Sequence, residues 1–236
     1  MAVIPLLFVA GKSVQVPEEY LILLFKRPLY LRMMWNSLII TIPVLIGQLL
    51  LAPLAAYGFW QCRWKYKEIL FYLYMIVMLM PLQLTLVPNY LVANWLGIQN
   101  SSLAIILPAI GSLFLLFFFK QNAYSFPKDT LEAARMDGLN EYQIFFKIFM
   151  PMMKSTYAAA GIFMFMASWN NYMWPLIALQ SDTKFTLPLV VANLASGFTP
   201  DYGMTMVGIV LSTLPTIIVF FTLQKSFVEG MTGSVK

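Results

Sequence analysis

Long apolar runs without a charged residue constrain this chain more than any other feature of its sequence. Five such runs occur, and each is close to the roughly 20 residues that a helix needs to cross a ~30 Å hydrocarbon core. They are Ser37–Phe59, Ile69–Val87, Leu103–Phe119, Thr156–Trp174 and Met204–Phe221. Since 60% of the residues are hydrophobic and only 11% are charged, the sequence predicts an all-α, polytopic membrane protein with five full transmembrane helices.

The N-terminus predicts part of a further span. The stretch "MAVIPLLFVAG" is too short to cross a bilayer, and no basic residue precedes it as in a signal peptide. We therefore expect a truncated N-terminal transmembrane helix, with a short re-entrant or interfacial segment as the alternative. Residues 1–34 are predicted to hold this remnant and an extracytoplasmic interfacial segment. Residues 35–236 are predicted to form the transmembrane domain.

The basic residues predict which side of the membrane each loop occupies. Ten of the 15 basic residues lie in 60–68, 120–154 and the C-terminal tail, which five alternating spans place on one side. The positive-inside bias makes that side cytoplasmic. Topology thus accounts for the basic excess, and we expect no nucleic-acid binding. With one cysteine, Cys62, and no histidine, neither an internal disulfide nor a Cys/His metal site is expected.

The polar interval 120–154 predicts two short helices. Asp129 and Glu132 have the spacing of a capping box at the start of the first helix. Gly138 suits the left-handed conformation that ends a helix. The loop therefore predicts a turn at Gly138.

The second predicted helix starts with Asn140 as its cap and Gln143 three positions on. Pro151 marks its turn into the next span. Its apolar residues form one stripe of a 3.6-residue helix, namely Ile144, Phe145, Ile148, Phe149 and Met152.

The residues alone leave two interpretations of this helix–turn–helix open. Ala133 and Ala134 would let another surface approach closely, as expected of a docking knob. Alternatively, alanine is simply the best helix former, Glu132 only caps, and the segment is a plain surface loop.

The spacing within this loop resembles that of a known family. Residues 132–134 read E-A-A, and Gly138, Ile148 and Pro151 follow at the intervals of the cytoplasmic loop of ATP-binding-cassette (ABC) importer permeases. Met150 replaces the leucine that the family has before its proline. Register kept across twenty residues makes this a specific resemblance.

Other segments resemble the carbohydrate branch of the family, the second of its two paired permeases. The resemblance runs from about Trp35 to the C-terminus and includes "MPLQLTLVPNYLVANWLGIQNSSLAIILP" and "SWNNYMWPL". Two departures stand out. Most of the usual first span is missing, and Asn171 replaces a common acidic residue.

The resemblance implies that the polar interval 120–154, which we call the coupling loop, docks in a cleft of a separate ATPase subunit. It implies as partners a second homologous permease, two ATPase subunits and an extracellular solute-binding protein, beside the lipid bilayer. ATP and Mg²⁺ would belong to the ATPases, so this chain is expected to bind no cofactor and to be no enzyme. The implied coupling residues are Leu131, Glu132, Ala133, Ala134, Asp137, Gly138 and Pro151.

Polar and aromatic residues near membrane depth are the candidates for a sugar or oligosaccharide path. Amides pair with hydroxyl groups, and aromatic rings stack on the C–H faces of sugars. The alternative is that the amides bond between helices and that Trp and Tyr form interfacial belts. The candidates are Gln48, Gln83, Asn89, Tyr90, Trp169, Asn170, Asn171 and Trp174.

Three other functions are alternatives to a sugar importer. Every Asp and Glu lies outside the five apolar runs, which argues against an ion-coupled secondary transporter with buried carboxylates. A membrane scaffold would explain the hydrophobicity but not the loop register. An ABC permease for a solute other than a sugar stays open. The sequence has no constellation of catalytic acid, base and nucleophile.

Overall fold

The computed structural model describes residues 28–62, 64–196 and 202–233, and within these ranges the regular structure is helical throughout. The predicted all-α class is confirmed. A short 3₁₀ turn spans Asp182–Lys184. The helices are α1 (Pro28–Gln61), α2 (Lys67–Met78), α3 (Leu82–Trp95), α4 (Ser102–Ile110), α5 (Leu113–Ala123), α6 (Lys128–Met136), α7 (Glu141–Met152), α8 (Lys154–Trp169), α9 (Met173–Ala178), α10 (Leu187–Ser196) and α11 (Tyr202–Gly233).

Three stretches of the described chain are long and apolar enough to cross a membrane as helices. They are Tyr30–Gln61, Ser102–Ala123 and Thr205–Gln224. Two further helix pairs are bent at a short break: α2 with α3, and α7 with the stretch Lys154–Ala178. The number of spans rises to five if each bent pair is one span. The predicted truncated N-terminal span lies outside the described residues, and the predicted boundary at residue 34 falls inside α1.

Two of the five predicted runs are interrupted as helices, in keeping with the kinks that their proline and asparagine residues favour. The run 69–87 is interrupted at 79–81, because Pro81 has no N–H to continue the helix and disfavours helical backbone in the residue before it. The run 156–174 ends as a helix at Trp169. There the N–H and the side-chain amide of Asn170 both donate to the carbonyl of Met166, at 3.1 and 2.9 Å, a local side-chain bond typical of asparagine at a helix end.

The chain divides into two compact units, each built from separate segments. The first comprises Met1–Val44, Gln83–Pro108 and Phe165–Phe220, and the second Leu45–Leu82, Ala109–Met164 and Phe221–Lys236. The coupling loop lies entirely in the second unit. The predicted substrate-path residues other than Gln48 lie in the first.

The second unit has an aromatic core that includes the coupling loop. Phe149 is fully buried, and its ring centroid lies 5.0 Å from that of Tyr57, 5.8 Å from Trp60 and 5.3 Å from Phe126. Tyr57 and Trp60 belong to α1, so the loop packs on the end of this helix. We call the following residues the aromatic core: Tyr57, Trp60, Phe119, Phe126, Phe145 and Phe149.

Asn100 organises the loops of the first unit. Its backbone has a positive φ of 53°, which asparagine tolerates better than most residues. Its side-chain oxygen accepts from the backbone N–H groups of Gln180 and Ser181 at 3.1 and 3.2 Å, and its amide donates to the Ser181 hydroxyl at 2.8 Å. Lys184 donates its ammonium group to the Asn100 carbonyl at 2.6 Å. One residue thus joins two loops eighty positions apart.

We predict that Asn100→Ala destabilises the purified protein by about 2–3 kcal/mol, because three side-chain hydrogen bonds are lost at ~1 kcal/mol each while the left-handed backbone remains. The thermal unfolding midpoint in detergent measures this. Asn94→Ala is the matched control, since Asn94 is exposed on α3. Equal midpoints for the two variants would show that the Asn100 contacts do not stabilise the fold.

Candidate functional site

Helix α6 has one buried face and one exposed face. Leu131 and Ala134 are buried, with 0% and 5% exposure, and pack in the hydrophobic core of the second unit. Glu132, Ala133 and Asp137 are exposed. Of the residues predicted to contact an ATPase, Leu131 and Ala134 therefore hold the helix in place. Ala134 does not lie at the surface, where the sequence analysis had placed it.

The predicted capping box of Asp129 and Glu132 was wrong. Helix α6 begins at Lys128, and its N-cap is Pro127, with φ −67° and ψ 110° and no side-chain capping bond. The ring of Pro127 already fixes a φ suited to helix entry. Asp129 instead lies in the first turn, where a carboxylate favours the helix dipole. Glu132 takes no part in capping, and its side chain is left for another role.

Gly138 ends α6 as predicted. Its φ is +82°, in the left-handed region that glycine enters without steric cost. Its N–H donates to the Arg135 carbonyl at 3.0 Å, and that of Leu139 donates to the Ala134 carbonyl at 3.1 Å. These two bonds make a Schellman motif, which satisfies the free carbonyls of the last helical turn.

The predicted cap of the second helix is confirmed. The Asn140 side chain accepts from the Gln143 N–H at 2.9 Å, and the Gln143 side chain accepts from the Asn140 N–H at 3.0 Å. This reciprocal capping box fixes the start of α7. With the Schellman motif before it, it defines the direction of the chain through the whole turn.

The apolar stripe of α7 shifts by one residue part of the way along. Residues Phe145–Phe149 form a π-helical turn, in which the Met150 N–H donates to the Phe145 carbonyl. A π turn adds a residue to the helical repeat, so the stripe continues at Met153, which is buried, and not at Met152, which is exposed. The prediction for Met152 was wrong for this reason. Pro151 is exposed, and the chain turns at Met153, between α7 and α8.

Large apolar side chains are exposed on the coupling loop. Met136 is 89%, Tyr142 76% and Phe146 48% exposed. These side chains lie beside charged residues and outside the apolar spans. Such a grouping of exposed apolar side chains is typical of an interaction surface. Sequence reasoning missed all three, although Tyr142 and Phe146 fall out of phase with the buried stripe of α7. We define the outer face as Glu132, Ala133, Met136, Asp137, Tyr142 and Phe146.

An ion pair and a hydrogen bond hold the two loop helices and α1 together. Arg135 donates its Nε–H to Glu141 Oε1 at 2.8 Å, and the Tyr57 hydroxyl donates to Glu141 Oε2 at 2.6 Å. The hydrogen bond from Arg135, followed by that from Tyr57, lowers the pKa of the Glu141 carboxyl below its ordinary value. The same bond to Glu141 raises the pKa of Arg135. The pair is therefore charged at neutral pH. The sequence analysis did not identify this network.

A cavity of about 510 Å³ opens beside the outer face. Side chains of both signs line it, including Lys67, Glu68, Lys128, Glu132 and Arg135. One of these lining residues, Glu68, pairs with a buried lysine that does not line the cavity. Lys120 is 2% exposed, pairs with Glu68 at 3.5 Å and lies 3.3 Å from the centroid of the Phe71 ring.

The predicted substrate-path residues fall into two groups. Trp169 and Trp174 are buried, and their indole N–H groups donate to the carbonyls of Ser212 and Ala104 at 2.8 and 3.0 Å, an arrangement that favours a packing role. Gln48 is also buried and donates to the Ala109 carbonyl at 2.7 Å. For the remaining residues, substrate contact stays a prediction: Gln83 and Asn170 are exposed, and Asn89, Tyr90 and Asn171 are half-buried.

The part of the chain that the structure describes contains no group of three or more His, Cys, Asp or Glu side chains that could hold a metal ion. The coupling loop itself has two faces of different chemical character. Its outer face presents carboxylates and apolar side chains on a rigid two-helix support.

The helical fold and its apolar helices define a polytopic membrane protein. The model of the family "Binding-protein-dependent transport system inner membrane component" matches residues 24–233. This chain belongs to that family, as the resemblance of its E-A-A loop predicts. It is a permease subunit of an ABC importer and not an enzyme, because ATP hydrolysis resides in a separate subunit of such systems.

Individual proteins support this assignment. The lactose transport system permease protein LacG of Rhizobium radiobacter is 45% identical over 202 residues, covering 86% of this chain and 74% of LacG. The arabinooligosaccharides transport system permease protein AraQ of Bacillus subtilis (strain 168) is 37% identical over 220 residues, covering 93% and 78%.

The fold also matches a solved structure, a chain of a bacterial ABC transporter involved in the import of the acidic polysaccharide alginate. The TM-score is 0.75 with 22% identity, and the match covers 84% of this chain and 75% of the other. At this identity the likeness concerns the fold alone.

We predict that Gly138→Ala loosens the turn of the coupling loop by about 1 kcal/mol, because a Cβ is strained at a positive φ although no atom lies within 4 Å of its position. Faster proteolytic cleavage of the loop in the detergent-solubilised protein measures this. Gly58→Ala is the matched control, since it also meets open space and lies inside α1. Equal cleavage rates would contradict the role of the left-handed glycine.

Proposed function

We propose that this chain is one of two homologous permease subunits that together line the pathway of a sugar or oligosaccharide importer. The observation that carries the proposal is the division of the coupling loop into a buried inner face and the exposed outer face. Glu132, the first residue of the E-A-A sequence, lies on the outer face. A loop held this firmly and exposed on one side is suited to receive force from another subunit.

The outer face would dock in a cleft of an ATPase subunit. Glu132 makes no ion pair within the described ranges, so a basic residue of the partner could bind it without breaking an internal bond. Charge-assisted hydrogen bonds of this kind contribute ~1.5–3 kcal/mol. Met136 and Tyr142 would bury apolar area around it.

The remaining assembly follows from this docking. Two ATPase subunits would bind ATP and Mg²⁺, while this chain would bind no cofactor. A solute-binding protein outside the membrane would deliver the substrate. Closure of the ATPases would then tilt helices of both permeases, and the broken pairs α2–α3 and α7–α8 provide places where helices can bend.

The relatives that transport lactose and arabinooligosaccharides support a di- or oligosaccharide as substrate. Uptake of radiolabelled lactose and of arabinooligosaccharides by cells expressing the complete importer tests the substrate class. Competition by either sugar with uptake of the other would support it. Uptake of sn-glycerol 3-phosphate without competition by sugars would overturn the sugar assignment but not the permease assignment.

We predict that Glu132→Lys weakens binding of the ATPase subunit by about tenfold to a hundredfold, the range that corresponds to loss of one charge-assisted hydrogen bond. Co-purification of the ATPase with the permease in detergent measures it. Asp182→Lys makes the same charge change on an exposed 3₁₀ turn of the first unit and serves as the control. Equal recovery of ATPase with Glu132→Lys and Asp182→Lys would remove Glu132 from the interface.

We predict that the coupling loop and the C-terminus are cytoplasmic. Cys62 is exposed beyond the end of α1 and is the one cysteine of the 236-residue chain, so a membrane-impermeant maleimide should label it in inverted vesicles and not in intact spheroplasts. The variant with Cys62→Ser and Asp182→Cys should show the reverse pattern. Labelling of Cys62 in intact spheroplasts would contradict the predicted orientation.

A further inference from the structure

Glu141 lies where three separate elements meet. One carboxylate oxygen accepts from Arg135 on α6, the other accepts from Tyr57 on α1, and Glu141 itself opens α7. Both oxygens of one side chain are thus used to join two different helices to a third. This arrangement goes beyond what the docking of the outer face requires.

We propose that Tyr57, Glu141 and Arg135 form a transmission link that passes movement of the docked loop to the end of α1. The inference rests on the proposed docking of the outer face on an ATPase. Tyr57 and Arg135 act through Glu141 and are positioning residues. They need not touch the substrate or the ATPase.

The order of residues along α6 supports the link. Arg135 follows Glu132 by three positions, so the two side chains lie about one helical turn apart. A pull on Glu132 moves α6 as a body, and Arg135 moves with it. The bidentate contact of Arg135 with Glu141, at 2.8 and 3.4 Å, then moves the start of α7 in the same direction.

The bond from Tyr57 converts this movement into movement of α1. The Tyr57 side chain is 6% exposed, and its ring meets those of Phe145 and Phe149 edge to face at 5.5 and 5.0 Å. Ring contacts alone allow helices to slide, because apolar packing is not directional. A hydrogen bond of 2.6 Å fixes one atom of α1 to one atom of the loop and opposes sliding.

The chain carries its own reporter for this movement. Cys62 follows the last residue of α1, five positions after Tyr57, and it is exposed. The chain has no other cysteine. Any maleimide label that a gel shows on the permease band has therefore reacted with Cys62.

The test uses the complete importer, purified with its ATPase and reconstituted in lipid. The labelling rate of Cys62 is measured without nucleotide and after trapping with ATP, Mg²⁺ and vanadate. In the wild-type importer we expect the two rates to differ. In Tyr57→Phe, which keeps the ring contacts and removes the hydroxyl, we expect that difference to shrink by roughly fivefold to tenfold, in line with loss of one partly buried hydrogen bond to a charged group.

Tyr72→Phe makes the same chemical change at an exposed position of α2 and should retain the wild-type difference. Glu141→Gln is the second variant, since it keeps an acceptor for Tyr57 but loses the charge that holds Arg135. Its difference should also shrink. The thermal unfolding midpoint and the recovery of ATPase are measured for every variant, and we expect both to equal the wild-type values. A purely structural role of Tyr57 would instead lower both in Tyr57→Phe.

The outcomes separate this inference from the proposed function. If no ATPase is recovered with the wild-type permease, the docking proposal fails. If ATPase is recovered but Tyr57→Phe keeps the full nucleotide-dependent difference, the transmission link is overturned and docking stands. Identical Cys62 labelling rates in the wild-type importer with and without nucleotide would also overturn the link.

Discussion

The burial of Phe149 is the interaction on which the geometry of the coupling loop depends. This ring contacts two rings of α1 and the ring of Phe126, and truncating such a side chain in a core costs ~3–5 kcal/mol. Phe149 holds α7 in place. The Asn140 cap and the Gly138 turn then fix the direction of α6 relative to α7. The exposure of Glu132 follows from that direction.

Breaks in apolar helices need compensation because an unsatisfied backbone group in hydrocarbon costs several kcal/mol. The turn at 111–112 has such compensation in Ser112, whose hydroxyl accepts from the Leu115 N–H at 3.2 Å. After Trp169, the Asn171 N–H donates to the Ser168 carbonyl at 3.3 Å, an i→i+3 bond that tightens the last turn. A capping side chain and a tightened backbone bond therefore satisfy polar groups at these points. These are also the places where a transporter helix can bend without losing all its hydrogen bonds.

Local patterns in the sequence predicted the features that depend on neighbouring residues. The apolar runs, the Gly138 turn and the Asn140–Gln143 box each follow from residues within a few positions, and each is found. The start of α6 was missed because Pro127 competes with the better-known capping spacing two residues later. The exposure of Met152 was missed because a π turn changes the helical period, and no residue type marks such a turn.

Contacts distant in sequence could not be predicted in the same way. Tyr57 and Glu141 are 84 positions apart, and nothing in either local pattern indicates the other. Trp174 donates to the carbonyl of Ala104 across 70 positions, a contact that no local pattern around either residue indicates. The hydrogen-bond partners of such side chains depend on tertiary structure, because a buried polar group lowers the free energy only where it finds a partner.

The three carboxylates near the turn of the coupling loop differ in a way that bears on the partner. Glu141 is neutralised by Arg135 and adds little net charge to the surface. Glu132 and Asp137 make no ion pair in the ranges that the structure describes. Asp137 also caps the C-terminus of α6, where the helix dipole disfavours a negative charge. A basic partner surface would offset that cost and pair Glu132 at once, whereas an acidic or apolar one would increase it. The charge of the outer face therefore favours a cleft rich in Arg or Lys.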